Sequence, residues 1–192
     1  MIEALNEFDR SLMLELNSHY TPLLDEAMYW VSHKFFWIPF YLVLVGLIVR
    51  KNGWNTVYVL IAIALVITFA DRFTSGFMKP FFERPRPCHD PEIGHLIHTF
   101  NKCGGKYGFA SSHAANVFGL SSFLWLQLRK WYRWIVLLFV WAFLVSYSRV
   151  YLGAHYPGDI TAGALVGFFF GWLVYHIYLL ASPKLPALGK QY

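Results

Sequence analysis

The sequence predicts an all-α fold: a polytopic membrane helix bundle with five transmembrane helices, alternatively six, preceded by an interfacial N-terminal helix. Three observations predict it. Of the 192 residues, 57% are hydrophobic and only 14% are charged, against roughly 25% charged in soluble domains. The apolar residues gather in runs that approach the ~20 helical residues needed to cross a hydrocarbon core of about 30 Å. The longest connection is polar and proline-rich, whereas two others are short and basic. Disorder is excluded, because a chain this apolar has ample surface to bury. One domain, 1–192, accounts for the length.

The elements follow in order. In the N-terminal region, 1–34, the first eighteen residues set Glu3, Glu7, Asp9, Arg10 and Glu15 among Ile2, Leu5, Phe8, Leu12 and Leu16. That helical spacing suits a helix lying on the membrane. Acidic residues stand where a cleaved signal would carry its positive n-region, so a retained segment is expected. Phe35–Val49 is a short first span, extendable back through Tyr29 and Trp30 if His33 and Lys34 sit at the interface. Thr56–Ala70, continuing toward Met78, is the second; Ala114–Leu128 and Trp134–Tyr147 are the third and fourth. Ile160–Leu180 is the clearest, with no charged residue and one histidine, His176. No internal repeat or low-complexity linker is present.

The connections are unequal. Arg50–Asn55 and Arg129–Arg133 read as tight turns, while 79–113 is a long loop in which Pro80, Pro85, Pro87 and Pro91 break any helix. Such a loop is where function is expected. Ser148–Asp159 falls on the same side. Arg50, Lys51, Arg129, Lys130, Arg133, Lys184 and Lys190 fall opposite it, and all 11 acidic residues lie on the loop side. The positive-inside rule then places the turns in the cytoplasm and the loop outside, as in a bacterial-type inner (cytoplasmic) membrane protein facing the periplasm. A net charge of +5 and a pI near 9.2 could suggest a nucleic-acid partner. The basic residues are split between both faces, so none is expected and the charge reads as a topology signal. Trp54, Trp125, Trp131 and Trp134 crowd the turns as interfacial anchors.

Cys88 and Cys103 share the outer loop, where a disulfide can persist. Two free thiols, or a metal site with His89, His95 and His98, are the alternatives; the spacing matches no compact zinc pattern.

Three polar clusters lie on the outer side. Lys79 and Arg86-Pro87, with Arg84 and Lys102 nearby, could attract anionic headgroups. Ala110-Ser111-Ser112-His113 precedes the third span; its serines read first as helix caps, but a capped helix start also points free N–H groups at an anion. Ser148-Arg149, His155 and Asp159 surround Pro157-Gly158, a turn signal, with Asp159 as a cap of the fifth span. Alone, a histidine and a capping carboxylate at an interface are ordinary structural residues. Together the clusters bring cations, a helix N-terminus, two histidines and one carboxylate to one face, which is what phosphoryl transfer requires.

The spacings Lys79-x6-Arg86-Pro87, Ala110-Ser111-Ser112-His113 and Ser148-Arg149-x5-His155-x3-Asp159 resemble the three-part signature of the type 2 phosphatidic acid phosphatase family of membrane lipid phosphatases. The second part departs from the usual Pro-Ser-Gly-His at Ala110 and Ser112. The resemblance covers the second span to the fifth, and family members commonly have six spans. It implies a metal-independent, two-step mechanism without cofactor. His155 attacks phosphorus and forms a phosphohistidine, Asp159 orients it, and His113 protonates the leaving oxygen and later activates water. Lys79, Arg86 and Arg149, with Ser111 and the Ser112 N–H, hold the phosphate oxygens.

Asp71 lies outside the signature, eight positions before Lys79. It reads either as a partner that orients Arg149 or Lys79, or as an ion pair with Arg72 or a simple interfacial acid. The expected function is hydrolysis of a membrane lipid phosphate monoester or diphosphate, such as a polyprenyl diphosphate, a lipid A phosphate, phosphatidylglycerophosphate or phosphatidate. A phosphotransferase using the same site is the alternative. A non-catalytic membrane protein would need charged residues inside the spans, whose centres carry essentially none. Gly163, Gly167 and Gly171 form a small-residue stripe that permits close packing within or between chains, so the oligomeric state stays open.

Overall fold

The computed structural model describes residues 2–101 and 103–185. Lys102 and Lys190 lie outside the described residues, as does the side chain of Lys184. Among the described residues every regular element is helical: α1 Ile2–Ser18, α2 Pro22–Ser32, α3 Ile38–Asn52, α4 Thr56–Asp71, α5 Lys79–Phe82, α6 Ser112–Leu128, α7 Leu138–Tyr151 and α8 Pro157–Ala181. The five apolar runs coincide with α3, α4, α6, α7 and α8. Among the described residues, three continuous helical stretches are long and apolar enough to cross a bilayer: Lys34–Phe82, Arg133–Tyr151 and Pro157–Ala181. The first reverses at Gly53, where φ is 52°, so that Leu44 and Ile48 of α3 join Val59, Ala62 and Val66 of α4 in one core.

α6 is the central helix, packed on α4, α7 and α8. Its contact with α8 is backbone-close because the small-residue stripe faces it. A Cβ on Gly167 would meet the Gly119 nitrogen at 2.8 Å, and one on Gly171 the Gly119 carbonyl at 2.6 Å. The stripe therefore packs helices within the chain. Outward-facing positions are apolar, including the ladder Phe69, Phe73, Phe77 and Phe81, as a lipid-facing surface requires. Lys51 lies over the Trp131 ring at 4.6 Å, which puts the two basic turns at the same end of the bundle, opposite the long loop.

Several boundaries differ from expectation. α2 stops at Ser32, where His33 turns extended, so the first span does not run back through Tyr29 and Trp30 as one helix. α4 continues through a π-helical segment, Arg72–Met78, into α5; Lys79 thus stands on a helix, and the non-helical loop starts at Glu83. Such π segments often mark functional sites because the wider turn re-aims side chains. α7 runs to Tyr151, so Ser148 and Arg149 occupy its last turn instead of a connection. Pro157 opens α8 as the first helical residue, where a missing N–H costs nothing. Asp159 is therefore inside the helix and accepts back from the Tyr156 N–H at 3.1 Å.

α1 does more than lie on a surface. Its buried stripe is Asp9, Met13 and Asn17, spaced four apart, while Leu5 and Phe8 stay exposed. Asn17 donates to the carbonyls of His98 (3.0 Å) and Tyr151 (2.7 Å), and Arg10 pairs with Asp90 at 3.0 Å. α2 docks through Asp25, which accepts from the Tyr151 hydroxyl at 2.9 Å and contacts His98 Nε2 at 2.9 Å.

Candidate active site

His155 is held by the short connection between α7 and α8. Gly153 turns the chain there at φ +73°, where a Cβ would strike Ile97 Cγ2 at 2.7 Å and the His98 carbonyl at 2.8 Å. The ring is 1% exposed. Its Nδ1 lies 3.3 Å from Asp159 Oδ2, and its Nε2 lies 3.0 Å from Arg86 Nη1. The tautomer that fits both contacts carries its proton on Nδ1, donated to Asp159, and turns the Nε2 lone pair toward the cations. Burial pushes the His155 imidazole well below its usual range, and the charges of Arg86, Arg149 and Lys79 push it further. The ring is neutral and nucleophilic, as attack on phosphorus requires.

The cations converge from separate elements. Arg86 is fixed by donating through Nε to the Gly105 carbonyl (2.6 Å) and through Nη1 to the Ala154 carbonyl (2.9 Å). Lys79, aimed by the π segment, donates to Ser112 Oγ at 2.8 Å. Arg149 donates to Ser32 Oγ, and its buried Nε has no partner, a donor available to an anion. Lys79, Arg86, Arg149, Ser112, His113 and His155 all line one cavity of about 650 Å³ that continues between apolar residues such as Leu44, Ile48, Ile63 and Leu124. His113 is exposed, whereas His155 is buried; one imidazole can exchange protons with water while the other stays dry.

The serines divide their work. Ser111 is fully buried, its hydroxyl accepts from the Ala114 N–H at 3.4 Å, and its N–H donates to the Asp159 carbonyl at 3.0 Å. It caps α6 and ties it to α8, and it is absent from the cavity lining. Ser112, standing where a glycine is usual, places its hydroxyl against Thr74 (3.1 Å), Ser75 (2.7 Å) and Lys79, joining the π segment to the start of α6. The N–H groups of that first turn have no intrahelical acceptor by helix geometry.

Asp71 lines the same cavity as Lys79 but makes no ion pair within 4.0 Å among the described residues, with Arg72, Lys79 or Arg149. Cys88 and Cys103 are bonded to each other, which removes both sulfurs as metal ligands although His89 lies beside them.

Sequence reasoning missed a chain of contacts behind the histidine. Arg84, counted only as a nearby positive charge, donates to Asp159 at 3.0 Å and to Asp9 at 2.8 Å, and lies over the Tyr156 ring at 4.1 Å. Asp9 also accepts from the Gly158 N–H at 2.8 Å. Beside it, Asp90 accepts from the Tyr156 hydroxyl at 2.6 Å as well as from Arg10. Burial would raise the Asp90 carboxyl, but the bonds from Tyr156, the Glu92 N–H and Arg10 outweigh it and hold the group below the usual carboxylate range. Two adjacent residues of α1, Asp9 and Arg10, thereby brace the segment that follows His155, through Gly158 and Arg84 and through Asp90 and Tyr156.

The sequence profile of the PAP2 superfamily matches residues 55–182. A lipid A 4'-phosphatase from Bacteroides thetaiotaomicron is 42% identical, covering 99% of this chain and 87% of that protein. A lipid A 4'-phosphatase from Porphyromonas gingivalis is 37% identical over 95% of this chain and 78% of its own length. Among solved structures, a PAP2-type phosphatidylglycerolphosphate phosphatase from Bacillus subtilis superposes with a TM-score of 0.65 at 22% identity, covering 97% of this chain and 90% of that one.

Proposed function

The chain belongs to the PAP2 superfamily and is a membrane phosphatase, and from that premise we propose that it hydrolyses a lipid phosphate through a phosphohistidine on His155. One observation carries the reading: three cations, two histidines of opposite exposure and a helix N-terminus meet at the head of an apolar cavity. A phosphate fits the polar end and an acyl or prenyl chain fits the rest. The Bacteroides and Porphyromonas relatives support a lipid A phosphate as the substrate; a polyprenyl diphosphate, phosphatidylglycerophosphate or phosphatidate suits the same chemistry. The basic turns at the opposite end support a periplasmic site.

In the first step the Nε2 lone pair of His155 forms the N–P bond as the P–O ester bond breaks in line. Protonated His113 gives its proton to the departing oxygen, and Lys79, Arg86 and Arg149 compensate charge on the equatorial oxygens. Asp159 stabilises the imidazolium-like ring. In the second step His113 takes a proton from water, which attacks phosphorus; the N–P bond breaks and inorganic phosphate leaves. No metal ion enters this scheme.

Phosphate release in detergent from a panel of lipid phosphates, with and without a chelator, tests the reading. Turnover that survives chelator and is lost in His155→Ala is expected. Loss on chelation would overturn metal independence, and a requirement for an added acceptor would favour transfer over hydrolysis.

A further inference from the structure

The cavity below the phosphate has a definite depth. Three helices line it over matching lengths: α3 and the turn before it from Trp37 to Ile48, α4 from Leu60 to Asp71, and α6 from His113 to Leu124. Each pair is eleven residues apart, or about 16 Å at 1.5 Å per residue. On α4 the lining residues Leu60, Ile63, Ile67 and Asp71 recur every three or four positions, so one face of the helix borders the cavity from end to end. Equal depth on three neighbouring helices describes a shaft running along them.

Its mouth is polar, with Asp71, Ser112 and His113 beside the cations. Its far end is closed. Ile48 and Leu124 are buried there, and Val59 and Leu128, which follow toward the basic turns, are fully buried and absent from the lining. Beneath them the Gln127 amide donates to the Asn52 side chain at 3.5 Å, which joins α6 to the end of α3.

In-line displacement puts the departing oxygen opposite His155 and against the residue that protonates it, His113. A chain attached to that oxygen therefore enters at the mouth and has about 16 Å before the floor. An extended chain advances about 1.2 Å per bond, as a polypeptide does over its three backbone bonds per residue, so about thirteen bonds fill the shaft. A shorter chain leaves a void without contacts, and a longer one must push packed side chains aside. Moving from bilayer to shaft gains a chain little hydrophobic energy, because lipid tails are as apolar as leucine. Fit against the floor is what discriminates between chains.

We infer that the shaft is a length gauge for one linear chain of the lipid: Ile48, Leu60 and Leu124 form a floor that sets the preferred chain at about twelve carbons from the phosphate oxygen. The inference rests on the reading of His155 and its neighbours as a lipid phosphatase site, and adds selection by chain length to it.

The test uses n-alkyl phosphates from about six to about eighteen carbons, a range that brackets the shaft, at low mole fraction in detergent micelles. The matching n-alkylphosphonates, whose P–C bond is not hydrolysed, report binding alone. For the wild type, kcat/KM should peak near twelve carbons and fall about tenfold by about sixteen, the size of an overpacking penalty. Leu60 is 38% exposed and has room for a larger ring, so Leu60→Trp raises the floor and should move the peak down by about two carbons. Leu124→Ala should move it up by about two; should that buried change prevent folding, Leu60→Trp decides. Leu65→Trp, on the exposed side of α4 and outside the lining, should keep the wild-type profile. Calorimetric binding of the phosphonates to His155→Ala, with and without Leu60→Trp, should show the same peak and the same shift. Affinity that is flat or still rising at eighteen carbons, or a peak that Leu60→Trp does not move, overturns the gauge. So does an equal shift in Leu65→Trp. A binding peak that moves with Leu60→Trp while the wild type hydrolyses none of the alkyl phosphates upholds the gauge and counts against the catalytic reading.

Discussion

Replacing Asp9 with alanine removes a residue that does not line the cavity yet stands three contacts from His155. Its carboxylate accepts from Arg84 at 2.8 Å and from the Gly158 N–H at 2.8 Å, and Arg84 in turn holds Asp159 at 3.0 Å. Charge-assisted bonds of this kind contribute about 1.5–3 kcal/mol each. The Asp9 and Arg84 side chains are 13% and 20% exposed, so solvent trims that figure only in part. Losing the Arg84 bond alone should then slow kcat by roughly 10–100-fold, at about 1.4 kcal/mol per decade, because Asp159 must stay fixed while His155 acquires positive charge. KM should change little, since the phosphate contacts remain. Asp9→Asn keeps an acceptor for Gly158 and should fall between. In a double-mutant cycle the losses of Asp9→Ala and Arg84→Ala should be far from additive. Initial rates of phosphate release in micelles compare wild type with the four variants. A kcat for Asp9→Ala within twofold of wild type, or full additivity with Arg84→Ala, would refute the coupling.

Three further outcomes are expected. Gly167→Ala places a methyl against the Gly119 nitrogen and the Ala115 carbonyl, and overpacking of this kind costs about 1–3 kcal/mol; a lower Tm in detergent should accompany it, and an unchanged Tm would mean that α6 and α8 are not in backbone contact. Reducing the Cys88–Cys103 bond, which closes a 15-residue separation, should destabilise the folded chain by about 3 kcal/mol. It should also raise KM, because the bond ties together the two segments that carry Arg86 and its anchor Gly105, each two residues outside the closed loop; an unchanged KM would detach the disulfide from the site. The third concerns protonation. An ordinary imidazole is half-protonated near pH 6.5, and the His155 value is depressed well below that. The unfolded chain thus binds the extra proton first, so this group's effect on stability is absent above pH 6.5 and becomes destabilising as the pH falls below it. Histidine nitrogen NMR should find His155 neutral at pH 6, and a charged ring there would contradict the burial argument.

The parts of the fold that were legible in the sequence are those encoded locally. Apolar runs gave α3, α4, α6, α7 and α8 because a helix in lipid needs outward apolar positions along its whole length. Lys79, Arg86, His113, Arg149 and His155 could be picked out because their spacings along the chain resemble a family signature, and the structure brings all five to one cavity. Element ends themselves were less legible: Arg149 and Lys79 proved helical because tertiary contacts extend α7 and α4 past their apolar cores. The π segment left no periodic signature, and Ser111 could not be separated from Ser112 without knowing which faced α8. The Asp9–Arg84 pair joins residues 75 apart. The stripe Asp9, Met13 and Asn17 is polar at two of three positions, so an apolar-face reading of α1 selected Leu5 and Phe8, which the structure leaves exposed.

The central claim is that His155 Nε2 becomes phosphorylated during turnover. Rapid quenching into base of the protein mixed with a lipid substrate carrying radiolabelled phosphate, followed by peptide mapping, tests it most directly. The account expects an acid-labile, base-stable phosphoryl group on the peptide containing His155 and none on the His155→Ala protein. A label on another residue, or full turnover by His155→Ala, would contradict it.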